Sequence, residues 1–149
     1  MVSLSPITDA NREAVEALAV RPDQRRFVSG VRESILEAAE EPDAQALFWA
    51  IYDDETPVGF VMIADEVGSL DYVAHFFWKL LIDERYQRRG FGTATLDVIV
   101  EYFRNRGIGT MWTSVGDGEG SPVTFYERYG FKRTGEFHDN EILLRLDIS

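Results

Sequence analysis

The stretch Gln87-Arg88-Arg89-Gly90-Phe91-Gly92-Thr93 lies between an apolar run, "HFFWKLLID", and an amphipathic run, "TLDVIVEYFRNRG". That placement makes it a strand-to-helix turn with little side-chain cover over its backbone. Gly90 and Gly92 reach backbone conformations that other residues resist, and their missing side chains let a ligand come close to the peptide N–H groups. The helix that follows adds unpaired N–H donors and the positive end of its dipole. The turn therefore predicts a site for a phosphate or pyrophosphate.

Outward from the turn, elements alternate in type. "VSLSPIT" reads as a short strand, and Asp9 is placed to cap a helix through "NREAVEALAV". A second helix is predicted from Asp23, with Phe27, Val31, Ser34, Ile35 and Ala38 on one face and Pro42 as its end. "ALFWAIYDD" and "PVGFVMIADEV" are apolar, aromatic and β-branched runs separated by Asp53-Asp54-Glu55-Thr56, which predicts an antiparallel hairpin. "AHFFWKLLID" adds a third strand. After the glycine turn, Leu96, Ile99, Val100 and Phe103 have the spacing of a buried helical stripe, with Gly107 as the stop. "GTMWTSV" reads as a strand, "GDGEGSP" as a loop, "VTFYERYG" as a short helix and "FKRTGEFHDNEILLRLDIS" as a closing pair of strands. The layout predicts a mixed α/β (α+β) sheet covered by helices, in one domain over residues 1–149.

Composition narrows the chemistry. With no cysteine there is neither a disulfide nor a thiolate nucleophile, as suits a reducing cytoplasm. The two histidines, His75 and His138, have no repeating carboxylate or histidine spacing around them, so no metal site is expected. No basic segment followed by an apolar run opens the chain, and no apolar stretch has the length of a membrane span. A cytoplasmic protein with no membrane partner is expected. The formal net charge of -11, from 26 acidic and 15 basic residues, argues against a nucleic-acid partner and suits either a cationic substrate or plain solubility. A homodimer is compatible with the chain.

Spacing separates three phosphate-binding patterns. A dinucleotide fold needs Gly-x-Gly-x-x-Gly or Ala, whereas Gly90-x-Gly92 is followed by Thr95 and sits in the middle of the chain. A nucleoside-triphosphate loop needs Gly-Lys-Ser/Thr, which is absent. The third pattern, Gln/Arg-x-x-Gly-x-Gly/Ala after a strand and opening a long helix, matches Gln87-Arg88-Arg89-Gly90-Phe91-Gly92 without a gap. In this the chain resembles the GCN5-related N-acetyltransferase (GNAT) superfamily, whose loop of this form binds the pyrophosphate of acetyl-CoA. "SPVTFYERYGFKRTGE" resembles the family's later helix with Tyr-x-x-x-Gly-Phe, so the similarity covers most of the chain.

The resemblance implies an acyl-CoA N-acyltransferase fold: a mostly antiparallel sheet with one splayed parallel strand pair and flanking helices. It also implies acetyl-CoA as co-substrate. Leu80, Leu81 and Ile82 map onto the strand whose backbone holds the pantetheine arm, with a backbone N–H near Leu81 as oxyanion partner. Amides from Gln87 to Thr93, through Arg88, Arg89, Gly90, Phe91 and Gly92, are implied pyrophosphate contacts, with the two arginines either adding charge or forming a solvated pair. Tyr126 matches the family tyrosine placed near the sulfur, where its phenol protonates the departing thiolate or orients it, its alternative being an aromatic core residue. Tyr129 is read as packing. Many members have Asn seven residues before the tyrosine, where this chain has Glu119, and the loop offers Ser121 or backbone contacts instead.

Within the superfamily, "FVSGVRESILEA" and "HFFWKLLIDERYQRRGFG" resemble a bacterial spermine/spermidine acetyltransferase group through Phe27, Val28, Ser34, Glu37, Ala38, Trp78, Lys79, Ile82 and Asp83. A small amine, polyamine-like and cationic, is the implied acceptor. Glu33 and Glu37, four apart, either offer it two carboxylates or form an exposed helical face. Phe76 and Trp78 share one side of their strand and suit either cation–π contact or the core, and His75 suits either a base or a surface site. The expected activity is direct acetyl transfer from acetyl-CoA to a primary amine in a ternary complex. The alternatives are a protein or peptide N-acetyltransferase, or an acetyl-CoA-binding regulatory module without catalysis.

Overall fold

Residues Val58 to Ala64 are buried without a break, and a strand with no polar face needs a layer on each side. The computed structural model describes residues 1–65 and 74–149. In chain order they form β1 (Val2–Ser5), α1 (Arg12–Glu16), α2 (Val31–Glu40), β2 (Ala46–Asp53), β3 (Thr56–Ala64), β4 (Phe76–Ile82), α3 (Phe91–Asn105), β5 (Thr110–Val115), α4 (Val123–Tyr129), β6 (Lys132–His138) and β7 (Glu141–Asp147). Single 3-10 turns occur at Pro22–Gln24, Pro42–Ala44 and Glu84–Tyr86. Among the described residues the strands make one sheet in the order β1-β2-β3-β4-β5-β7-β6, antiparallel throughout except for β4 beside β5. The mixed sheet with one parallel pair expected from the sequence is the observed fold.

Alternation along β3 divides the core in two. Val61 and Ile63 join Leu96, Ile99, Val100 and Phe103 of α3, together with Phe77, Met111 and Tyr126. Phe60 and Met62 face the opposite way, onto Val15, Leu18 and Val31 around α1 and α2. Each fully buried aliphatic or aromatic side chain of the α3 stripe contributes about 1.5–3 kcal/mol, so packing rather than intrinsic propensity holds that helix. Gly107, at φ +78, turns the chain away where the stripe ends. No helix among the described residues is long and apolar enough to cross a membrane.

The N-terminal third departs from expectation. Asn11, not Asp9, holds the N-cap position of α1, and its side-chain oxygen accepts from the Thr8 N–H at 2.7 Å. The second helix begins at Val31 rather than Asp23, because Pro22 opens an isolated turn and Gly30 enters α2 in an extended conformation. Phe27 therefore lies off the helix and packs on the glycine loop instead, where a Cβ on Gly116 would come within 3.1 Å of its ring. β3 ends at Ala64; Glu66 and Val67, at the end of the strand read from the sequence, lie outside the described residues.

β4 and β5 are joined only at one end. Phe76 pairs with Trp112, and the Trp112 N–H donates to the His75 carbonyl at 3.3 Å. One residue on, the buried Thr113 hydroxyl donates to the Phe77 carbonyl at 2.7 Å. Past Phe77 no further ladder bond joins the two strands among the described residues, and they diverge.

Candidate active site

That divergence opens a cleft of about 750 Å³, lined by Phe76, Trp78 and Leu80 of β4, Thr113 to Val115 of β5, and Phe125 and Tyr126 of α4. The glycine turn lies beside it, with Gly92 against Phe125 and Leu80 of the lining. Gly90 takes φ +84 at the N-cap of α3, a left-handed conformation that glycine adopts without the Cβ penalty. Arg88 shares it at φ +64, so the turn depends on two departures from ordinary backbone geometry, one on each side of Arg89. Ala94 is the first amide to bond back into the helix, at 3.0 Å to the Gly90 carbonyl. The amides of Phe91, Gly92 and Thr93 precede it as the unpaired donors of a helix N-terminus.

The side chains of the turn divide their roles. Gln87 is committed to structure: its Nε2 donates to the Ile82 carbonyl and to Gln24 Oε1, both at 2.9 Å. Arg88 and Arg89 are exposed, and the Arg89 guanidinium lies 5.7 Å from the Tyr86 ring centroid. The bareness of Gly92 is used by the protein itself, since a Cβ there would lie 3.0 Å from Phe125 Cζ and 3.7 Å from Leu80 Cδ2. Thr93 is exposed, while Phe91 is half-buried against the α3 side of the core.

The strand end is locked from behind. Asp83 is buried and accepts from the Ala19 amide at 3.0 Å, the Arg85 amide at 3.0 Å and Arg85 Nε at 2.8 Å. Burial alone would raise its pKa, but the Arg85 side chain and these two amides together hold the carboxyl below its ordinary value. The residues preceding Asp83 are thereby fixed: Leu80 reaches the cleft, Leu81 is buried with Phe60 and Met62, and Ile82 packs toward α3.

Tyr126 is 6 % exposed and sits edge-on to Phe77, Phe125 and Phe131, with ring centroids 6.1, 5.1 and 5.5 Å away. Burial, and then the charge of Glu141, push its pKa well above that of free tyrosine, so the phenol keeps its proton. Tyr129 behaves as read from the sequence, bonding α4 to α3 through its hydroxyl, which donates to Asp97 at 2.7 Å. Ser121 is held inside its own loop, donating to the Gly116 carbonyl and accepting from the Val123 N–H at 3.2 Å. Glu119 offers its carbonyl to Arg26.

On the α2 side the cleft is acidic. Glu37, Glu40, Glu41, Asp43, Asp139 and Glu141 line it, against one lysine, Lys79. Lys79 spans the gap between β4 and α2, meeting Glu37 at 2.7 Å and Ser29 Oγ at 3.3 Å. The predicted acceptor residues are only partly brought together. Phe76, Trp78 and Glu37 line the cleft, whereas Glu33 is exposed beside Gly30. His75 lies away from the cleft, 3.3 Å from Asp65 and edge-on to Phe103, with Asp65 also bound by Arg106. The hydrogen bond from Thr113 and the Lys79–Glu37 bridge were not read from the sequence; each joins positions too far apart in the chain for local spacing to show.

Comparison with known proteins bears on the family and the fold. A 24% identical relative over 147 residues, covering 93% of both chains, is the spermine/spermidine N(1)-acetyltransferase of Bacillus subtilis. The ribosomal protein bS18 alanine N-acetyltransferase of Salmonella typhimurium is 27% identical over 81 residues, 48% of this chain and 55% of that protein, so the chain spans about half the length of that relative. The structure of the PaiA N-acetyltransferase from Thermoplasma acidophilum in complex with coenzyme A superposes with a TM-score of 0.70 at 15% identity, over 99% of each chain, which shows a shared fold. The family model described as "Acetyltransferase (GNAT) family" matches residues 27–131, more than half of the chain. The chain therefore belongs to the GNAT acetyltransferase family.

Proposed function

We propose that this protein transfers the acetyl group of acetyl-CoA to a primary amine of a small cationic molecule of the polyamine kind. The observation that carries the reading is the cleft itself. It brings a buried tyrosine and a wall of carboxylates together where β4 and β5 part, with the bare N-terminus of α3 packed beside it through Gly92 against Phe125 and Leu80. Acetyl-CoA supplies the activated thioester. The amides of Phe91, Gly92 and Thr93 fit its phosphates, with Arg88 and Arg89 adding charge. Backbone groups of Leu80, Leu81 and Ile82 fit a pantetheine arm lying where β5 leaves β4, and a fixed N–H near Leu81 is suited to the developing oxyanion.

Tyr126 keeps a neutral phenol beside the cleft and is the acid for the departing sulfur. Glu37 and Trp78 are the acceptor contacts: one supplies charge, the other an aromatic face. Spermidine, spermine, free amino acids and short peptides, each assayed with acetyl-CoA, test the reading. The expected result is kcat/KM highest for the polyamines by at least about tenfold, equivalent to 1.4 kcal/mol of discrimination. Equal turnover of every amine would overturn the substrate class.

A second reading is N-terminal acetylation of a protein, favoured by the similarity to the ribosomal-protein alanine acetyltransferases over 81 residues. A peptide with N-terminal alanine outperforming spermidine would establish it.

A further inference from the structure

We propose that Glu141, at the start of β7, takes the proton from the acceptor's ammonium; the role rests on the amine-acetylation reading above. An ammonium has no lone pair, so transfer needs a base within reach of the point where acceptor and donor meet. Side-chain alternation places Glu141 on the same face of β7 as Leu143, the face opposite Tyr126 and α3, yet both Glu141 and Tyr126 line the cleft. The gap between β4 and β5 is what lets them share it. Glu141 is also aimed: the Ser114 hydroxyl of β5 donates to its Oε1 at 2.8 Å, which leaves Oε2 for a proton.

The other carboxylates of the cleft are less suited. Glu37 is occupied by Lys79 at 2.7 Å. Asp139 is 91 % exposed and lies 3.6 Å from His138. Glu40, Glu41 and Asp43 come from the end of α2 and the turn after it and are exposed. Glu141 alone among them is part of the sheet, half-buried, and close enough for its charge to act on the Tyr126 phenol. The charged and titratable groups that line the cleft with it are Tyr126 from α4, His138 and Asp139 from the β6 end, Lys79 from β4, and Glu37, Glu40, Glu41 and Asp43 from α2 and the turn after it.

The step balances without a further reagent. Glu141 accepts one proton from R–NH₃⁺. The freed lone pair forms the C–N bond at the acetyl carbon while the C–S bond breaks and its electron pair leaves on sulfur. Tyr126 protonates the sulfur and is itself reprotonated by the second nitrogen proton, leaving an amide, a thiol and a protonated Glu141 that returns its proton to water.

The test is Glu141→Gln, with Ser114→Ala as the milder variant, each checked for melting temperature and acetyl-CoA binding. With an alkylamine such as spermidine, Glu141→Gln is expected to lower kcat/KM about 10²- to 10³-fold near pH 7, with the rate climbing as pH rises and free amine accumulates. With an alkoxyamine, which is already neutral at pH 7, the same variant should retain activity within a few-fold of wild type. Ser114→Ala should give a smaller fall with the same dependence on the acceptor's basicity. Wild-type rates with spermidine in both variants, or equal losses with both amines, would overturn the role of Glu141. Absence of transfer to any amine by the wild type would instead overturn the acetylation reading, and this role with it.

Discussion

Gly92 of α3 and Phe125 of α4 touch at the mouth of the cleft, so closely that a methyl group on Gly92 would lie 3.0 Å from the ring. The contact couples the turn to the helix that carries Tyr126. Gly92→Ala should push Phe125 into the cleft and destabilise the fold by about 1–3 kcal/mol through overpacking, seen as a lower melting temperature and weaker CoA binding by calorimetry. Phe125→Leu in the same chain should restore part of both. Gly90→Ala meets no neighbour and should show only the strain of a left-handed residue, about 1–2 kcal/mol. Gly92→Asp, which adds charge as well as bulk, should abolish acetyl-CoA binding.

Tyr126→Phe removes only a hydroxyl from a ring held by three aromatic neighbours. Turnover should fall about 10²-fold or less, with acetyl-CoA affinity and melting temperature unchanged. Wild-type kcat in this variant would remove the tyrosine from the mechanism.

Glu37→Gln should raise KM for spermidine more than for a monoamine of similar length, because only the polyamine carries a second positive charge for the carboxylate to meet. The Lys79 it releases would add repulsion. Initial-rate measurements at low and moderate salt would show the effect shrinking as ionic strength rises.

Asp83 makes stability depend on pH in one direction. Its folded pKa lies below the unfolded one, so the stabilisation is fully present above the unfolded value, near pH 4, and is lost as pH falls through the folded value. Asp83→Asn should lower stability at pH 7 by about 1.5–3 kcal/mol and flatten the acid limb of a denaturation series. An equally steep acid limb in the variant would assign that limb to other carboxylates.

Much of the fold was legible because its signals are local. The α3 stripe, the Gly107 stop, the hairpin at Asp54 and the two glycine-bearing motifs each lie within one element or between two neighbouring ones. Phe76 and Trp78 could be assigned to one face from strand periodicity alone. The start of α2 was misread because an amphipathic pattern ran through Phe27, while Pro22 and Gly30 broke the backbone that would have carried it. Glu33 and Glu37 have helical spacing, but α2 turns only Glu37 toward the cleft. Thr113, Ser114 and Glu141 gave no signal, since their contacts join strands distant in the chain and depend on which pair of strands separates.

The hydrogen bond from Thr113 to the Phe77 carbonyl turns the cleft into a blind alley. An arm lying along β4 in place of a partner strand, as proposed for acetyl-CoA, would meet that bond at its end. From Ile82 back to Phe77 the strand runs about 17 Å, a length set by five steps of extended chain. On the proposed binding of acetyl-CoA the sheet would work as a ruler, registering the reactive end of a long, flexible molecule by where the zip begins, with the far end at the glycine turn.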